Sequence, residues 1–288
     1  MPAKDVHEAN RASWNAATKQ HNTHKGDQAA FLRAGGSTLF PEEIALLGAV
    51  RGKTLLHLQC NAGQDTLSIA AQLGAAVTGV DISDEAISFA QRLSAESGIP
   101  GTFVRSDVYD WLARSAARCD VVFSSYGAIL WLSDLPAWAR GVAAALKPGG
   151  RFVLVEFHPL IGVLDGALSG DWKRASDYMG GRLSSYADGV GDYVAEAGGA
   201  LSHTGTVIQA AEPFVNPNPA HEYAWGLAEV VSALLEAGLR LAALHEYPYC
   251  NGFKPFPNMI EQPGRRMVFP DGMPVLPLMY GLVAQRPE

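Results

Sequence analysis

Between residues 53 and 156, short apolar runs alternate with segments of helical period, and this rhythm constrains the fold more than any other feature of the chain. KTLLHLQC (53–60), AAVTGVD (75–81), GTFVRSD (101–107), DVVFSSY (120–126) and RFVLVEF (151–157) have the length and apolar content of buried strands. DTLSIAAQL (65–73) and DEAISFAQRLSAE (84–96) have helical spacing, the second behind Ser83 as N-cap. A further helix places Leu135, Trp138, Ala139, Val142, Ala143 and Leu146 on one face. It is entered at Pro136 and stopped by Pro148-Gly149-Gly150. Parallel strands need crossover helices, so the pattern predicts an α/β, doubly wound, mostly parallel sheet.

After His158-Pro159 the rhythm breaks. Residues 160–222 are rich in Gly, Tyr and Trp, with a strand-like piece at 200–209 and a turn-rich PFVNPNP at 213–219, and they read as an insertion. Helical period resumes at Leu227, Val230, Val231, Leu234 and Leu235 and ends at Gly238. Two strand candidates close the chain, LRLAALHEY (239–247) and VLPLMYGLVA (275–284), separated by a Pro- and aromatic-rich loop over 248–274.

The formal charge of −7 argues against a nucleic-acid partner. Cys60, Cys119 and Cys250 are far apart with no metal-ligand spacing, so no metal is expected and a reducing compartment is. The polar N-terminus and the lack of a long apolar run give the cytoplasm as the expected location, with no membrane partner.

In an open parallel sheet, ligands bind beyond the carboxyl ends of the strands. Those ends carry Gln59–Gly63, Asp81, Asp107 and Ser124–Tyr126. Asp81 follows Gly63 by 18 positions, near the spacing at which a carboxylate holds ribose hydroxyls. Asp107 is placed to accept from an adenine amino group, so the pair fits an adenosine. A pyrophosphate needs close backbone approach at several glycines. NAGQDT keeps only Gly63, with Gln59 and Asn61 where glycines are expected. That loss disfavours NAD more than S-adenosylmethionine (SAM), which has no phosphate.

LLHLQCNAGQDTLSIA, VTGVDIS, SDVYDW and CDVVFSSYGAILWLSDLPAWARGVAAALKPGGRFVLVEFHP together resemble the class I SAM-dependent methyltransferases, in a bacterial branch whose first motif reads H-L-Q-C. The resemblance implies a Rossmann-like, seven-stranded sheet with a helical lid over residues 1–50, a SAM-binding core over 51–159, a substrate-binding cap over 160–225 and closing elements over 226–288. It implies that Gln59, Asn61 and Gly63 face the methionine part of SAM, Asp81 the ribose and Ile82 the adenine. Asp107 and Val108 complete the adenine site, and Ser124, Ser125 and Tyr126 lie near the sulfonium. The lid would bring Trp14 and His24 to SAM. His57 departs from the family, which has an acidic residue there.

Actinobacterial enzymes of specialised metabolism that methylate carbon 3 of an indole belong to the same neighbourhood. An indole suits the aromatic side chains of the cap and of 248–274. It would place a base near its N–H, for which Glu212 and His158 are the candidates, with Tyr126 beside the transferred methyl. The expected partner is therefore a small-molecule acceptor, and the expected assembly a homodimer. Transfer to nitrogen or oxygen of a small metabolite is the nearer alternative. An NAD-dependent oxidoreductase, a nucleic-acid methyltransferase and a non-catalytic SAM-binding protein are the more distant ones. Cys60, Trp131 and Trp138 are expected to pack, Trp131 being the closer of the two tryptophans to the pocket, and His245 and Glu246 are weaker base candidates than His158.

Overall fold

The computed structural model describes residues 3–114, 119–197, 201 and 213–288. Its centre is a seven-stranded sheet in the order β3-β2-β1-β4-β5-β12-β8. The strands are β1 (Thr54–Leu58), β2 (Ala76–Asp81), β3 (Thr102–Arg105), β4 (Cys119–Ser125), β5 (Leu146–Phe157), β8 (Arg240–Tyr247) and β12 (Met279–Gln285). The first five are parallel, and β12 runs antiparallel to both of its neighbours. The doubly wound, mostly parallel sheet expected from the sequence is therefore present.

The apolar runs explain the layering. In β1, Leu56 and Leu58 enter one core with Val122, Leu154 and Trp138, while Leu55 enters the opposite core with Val77, Phe123 and Val153. A strand buried on both faces has no polar side to offer, which is why the central strands read as continuous apolar runs. Helices α4 (Gln64–Ser68), α5 (Asp84–Ser97), α6 (Val108–Arg114) and α7 (Leu135–Ala145) make the crossovers. Ser83 caps α5 by accepting from the Ala86 N–H, as its position predicted.

Two expectations change. Leu146, read as part of the preceding helix, and Pro148-Gly149-Gly150, read as its stop, already belong to β5. The stretch 248–274, read as a loop, carries a three-stranded sheet of β9 (Cys250–Asn251), β11 (Arg266–Val268) and β10 (Ile260–Gln262). Strands of two or three residues are too short to show an alternation. They pack Cys250, Phe256, Met259 and Met267 against Val155 and Met279 at the end of the main sheet.

The N-terminus forms α1 (Lys4–Thr23), followed by α2 (Gln28–Arg33) and α3 (Pro41–Leu47). Between β5 and α10 (Leu227–Glu236) lie α8 (Leu160–Ser169), α9 (Tyr193–Glu196) and a hairpin of β6 (Arg182–Tyr186) with β7 (Ala220–Ala224). The strand expected over 200–209 falls mostly outside the described residues. Polar side chains of α1 join it to this insertion. Asn10 bonds both the N–H and the carbonyl of His221, and Ser13 bonds Val190 and Asn218. His21 Nε2 lies 2.8 Å from the Gly191 carbonyl. These contacts explain how a helix too polar for a core can bury six of its residues. Among the described residues no helix is long and apolar enough to cross a membrane.

Candidate active site

A cavity of about 630 Å³ opens at the carboxyl ends of β1 to β5. Its floor carries Gln59, Asn61, Asp81, Ile82, Asp107, Val108, Ser125 and Tyr126. Its walls include Trp14 from α1, Glu222 and Tyr186 from the insertion, and Asn251, Phe253 and Arg265 from the three-stranded sheet. The volume is that of an ordinary small-molecule site.

The loop after β1 keeps a glycine-type backbone without the glycines. Gln59 has φ +54° and Asn61 φ +47°, both left-handed. A side chain in that region costs about 1–2 kcal/mol, least for Asn. Asn61 offsets part of this by accepting the Ala62 N–H on its own Oδ1, 2.7 Å away. Gln59 is tied down by donating from Nε2 to the Ala128 carbonyl at 2.8 Å. Both residues line the cavity and carry side chains where a bare glycine loop has none, which disfavours the close backbone approach of a pyrophosphate.

Asp81 is fixed from two directions. Its Oδ2 accepts the Asn61 N–H and its Oδ1 the Ser83 N–H, each at 2.8 Å. Burial raises its pKa, and these backbone donors oppose the rise. Asp81 lines the cavity, where a diol could donate to its remaining lone pairs.

Asp107 is already engaged. His7 Nδ1 lies 2.7 Å and Lys4 Nζ 3.0 Å from its Oδ2, and Oδ1 accepts the Tyr109 N–H. Burial pushes its pKa up, but His7, Lys4 and the amide outweigh burial and hold the carboxyl at about 2. His7 Nε2 reaches Ser133 Oγ at 2.7 Å, and its ring stacks on Tyr109.

At another part of the wall Lys25, Asp65, Gln64 and Thr38 gather beneath Arg265. Thr38 Oγ1 donates to Asp65, and the Arg265 guanidinium lies 4.2 Å over the Phe40 ring. Burial brings the Lys25 pKa down to about 8, against the pull of Asp65. A cation and an anion side by side suit both ends of a zwitterionic amino acid.

Not every expected residue reaches the cavity. Gly63 does not line it; a Cβ there would lie 2.7 Å from both Ala90 Cβ and Phe103 Cε1. Its glycine is required by packing of α5 and β3 against the loop, and by φ +79°. Ser124 is buried inside the sheet, with Oγ lacking a partner. His24 is buried under α1, where Nε2 lies 2.8 Å from Asp192 Oδ2. His158 also stays outside, accepting the Leu160 N–H on Nδ1 and meeting Glu246 through Nε2 at 3.1 Å. His158 is thus placed to anchor the chain after β5 rather than to touch a ligand. Glu212 lies outside the described residues.

Tyr126 does line the cavity, with φ +38°. Its hydroxyl accepts from Asn251 Nδ2 at 3.0 Å, and burial first, then nearby Glu43, pushes its pKa well above that of a free phenol. It is a neutral group that can shape the site but not take a proton. Trp131 lines the cavity, edge-on to Trp14 at 5.5 Å, whereas Trp138 is fully buried. Burial also raises the Cys60 thiol well above its ordinary value, which removes it as a nucleophile. His57, its pKa lowered to about 3 by burial, is a neutral imidazole joined to Thr66 Oγ1 at 2.8 Å.

Sequence reasoning missed His7, Lys25, Asp65, Arg265 and Glu222. Asp65 lies within the NAGQDT loop but was not singled out there, and the other four sit in no recognisable motif. AHEYAW offered only a short alternation, in which Glu222 faces the same way as Ala220 and Ala224.

Residues 55–150 match the family described as Methyltransferase domain. Over that region the chain is 34% identical across 99 residues to a ubiquinone biosynthesis O-methyltransferase of Methylobacterium nodulans, covering 34% of this chain and 39% of that protein. A namesake from Proteus mirabilis is 34% identical over 100 residues, covering 35% and 40%. The chain thus spans about two-fifths of the length of these curated relatives. Among solved structures it is similar to one from Listeria monocytogenes described as an S-adenosylmethionine-dependent methyltransferase. That pair has a TM-score of 0.57 and 18% identity, covering 86% of this chain and 96% of the other. An S-adenosylmethionine-dependent methyltransferase of Mesorhizobium loti gives a TM-score of 0.51 and 19% identity, covering 85% and 96%. These likenesses place the seven-stranded sheet among methyltransferase folds.

Proposed function

We propose that the protein is a SAM-dependent methyltransferase acting on a small, aromatic acceptor, with C3 of an indole as the favoured position. The observation that carries this reading is the loop at the end of β1. Gln59 and Asn61 hold a glycine-type turn while carrying side chains that a bare glycine loop lacks, and Asn61 delivers its N–H to Asp81. In this reading Asp81 holds the ribose hydroxyls, Ile82 and Val108 flank the adenine, and Lys25 with Asp65 receives the amino-acid end. When bound, SAM supplies an electrophilic methyl group on sulfur. The protein's own work is then to align an acceptor and exclude water. Helix α1 as a lid and the insertion as a cap accomplish both, and Trp14, Trp131, Phe157 and Phe253 offer ring faces to a flat acceptor.

Transfer to oxygen is the second reading, favoured by the named O-methyltransferases to which residues 55–150 are similar. Mass spectrometry of indole, phenol and amine panels with methyl-deuterated SAM tests the choice. Label on carbon supports the first reading, label on oxygen the second. A thermal shift with NAD but not with SAM would refute both.

A further inference from the structure

Four carboxylic acids line the cavity: Asp65, Asp81, Asp107 and Glu222. Three of them have duties of their own. Asp81 is pinned by two backbone amides, and Asp107 by His7, Lys4 and a third amide. Asp65 accepts from Thr38 and lies in the field of Lys25 and Arg265. Glu222 differs. Among the described residues no cation pairs with it, and Tyr186 stands diagonally across the hairpin, on the same face as its register partner.

Its position is rigid. Asn10 of α1 grips both backbone groups of His221, and Ser184 faces Glu222 in the β6–β7 register. Strand β7 packs on α1 and on the turn Ile129–Trp131. Glu222 therefore lines the cavity from the hairpin, on a strand packed against the two elements that carry Trp14 and Trp131. Burial raises its pKa to about 7, with the Tyr186 hydroxyl pulling the other way. A carboxyl of that basicity exchanges a proton readily near neutral pH.

We propose that Glu222 is the catalytic residue that hydrogen-bonds the N–H of a heteroaromatic acceptor and receives its proton as the methyl group is transferred. The inference rests on the methyltransferase reading. For an indole already substituted at C3, the C2=C3 electrons form the new bond from C3 to the methyl carbon, while the C–S bond breaks and its pair returns to sulfur. The N1 lone pair closes a C2=N1 bond, and the N1 proton passes to the Glu222 carboxylate. The products are a 3H-indole, S-adenosylhomocysteine and a protonated Glu222, which loses its proton to solvent. Tyr186 acts as a positioning residue that holds the carboxylate toward the ring.

The test uses the full chain, 3-methylindole and 1,3-dimethylindole, with Glu222→Gln, Glu222→Asp and Tyr186→Phe variants. SAM affinity is measured first by calorimetry and should be the same in wild type and E222Q. With S-adenosylhomocysteine present, wild type should bind 3-methylindole about tenfold more tightly than 1,3-dimethylindole, the worth of a hydrogen bond to a charged group, and E222Q should lose this preference. Turnover of 3-methylindole should fall by about 100-fold or more in E222Q, recover partly in E222D and fall less in Y186F. Equal binding of the two indoles by wild type, no binding of 3-methylindole, or E222Q turnover within about threefold of wild type overturns the proposal. Failure of wild type to bind SAM overturns the methyltransferase reading instead.

Discussion

His7 Nδ1 lies 2.7 Å from Asp107 Oδ2, joining the N-terminal helix to a carboxylate that follows the third strand of the sheet. The contact closes a chain from Asp107 through His7 to Ser133, whose Oγ also accepts the Ala3 N–H. The residue expected to accept from an adenine amino group is therefore also the one that holds the N-terminal helix.

Variants of Asp107, His7 and Lys4 together separate the contributions of the two side chains that meet this carboxylate. Lys4 is half exposed, so its ion pair is worth less than about 1 kcal/mol. The His7 contact is buried, and its loss should cost about 1–3 kcal/mol. We expect Lys4→Ala to leave stability nearly unchanged, while Asp107→Asn and His7→Ala each accelerate amide exchange across residues 4–23. Equal protection of that helix in all three variants would show that Asp107 does not fasten it.

Gly63→Ala discriminates packing from ligand approach. The new methyl would meet Ala90 and Phe103 at 2.7 Å, and the backbone would remain at φ +79°. Overpacking and left-handed strain together predict a loss of about 2–4 kcal/mol in denaturant unfolding. SAM affinity of the folded fraction should change little. A stable variant with weakened SAM binding would restore Gly63 to the ligand site.

The alternation of strands and helices was legible because central strands buried on both faces have no choice but to be apolar. The left-handed turn at Gln59 and Asn61 could be located for a similar reason, since both replace glycines at fixed offsets from the strand. What stayed hidden depends on contacts distant in sequence. His7 acquires its meaning from Asp107, 100 positions later, and Glu222 from Tyr186, 36 positions earlier on the other strand of a hairpin. His158 misled for the opposite reason: it follows a core strand, but its ring turns toward Glu246 and away from the cavity.

His57 predicts a pH dependence with a definite sign. Its pKa falls from 6.5 to about 3 on folding, because burial penalises the imidazolium. The unfolded chain therefore binds the proton first as pH drops, and stability is lost between about pH 6.5 and pH 3. At pH 5 the loss from this residue is roughly 2 kcal/mol relative to neutral pH. Gln can keep a hydrogen bond to Thr66 but does not titrate. Urea unfolding at pH 7.5 and 5 should show His57→Gln losing roughly 2 kcal/mol less than wild type. Parallel losses in the two proteins would mean that His57 is solvated and protonated in the fold.

Glu156 gives the prediction that most directly links the sheet to catalysis. It is buried, and its two oxygens accept four backbone N–H groups, from Gly127, Ala128, Ile129 and Phe157. Gly127 and Phe157 share Oε1, while Ala128 and Ile129 share Oε2. In Glu156→Gln, whichever way the amide is turned, its NH₂ faces two buried donors. Leaving two donors unpaired costs about 1–3 kcal/mol each, so the variant should be less stable to denaturant by about 2–6 kcal/mol. The segment it organises, Tyr126 to Ile129, carries cavity wall and supplies the carbonyl that holds Gln59. Acceptor binding and methyl transfer should both weaken in E156Q below its melting point, with the loss greater in transfer, because alignment suffers before affinity does. Glu156→Ala, which leaves all four donors unpaired, should be the less stable of the two variants. If E156Q transfers methyl groups at the wild-type rate, the turn keeps its shape without the carboxylate, and the link from β5 to the acceptor site is absent.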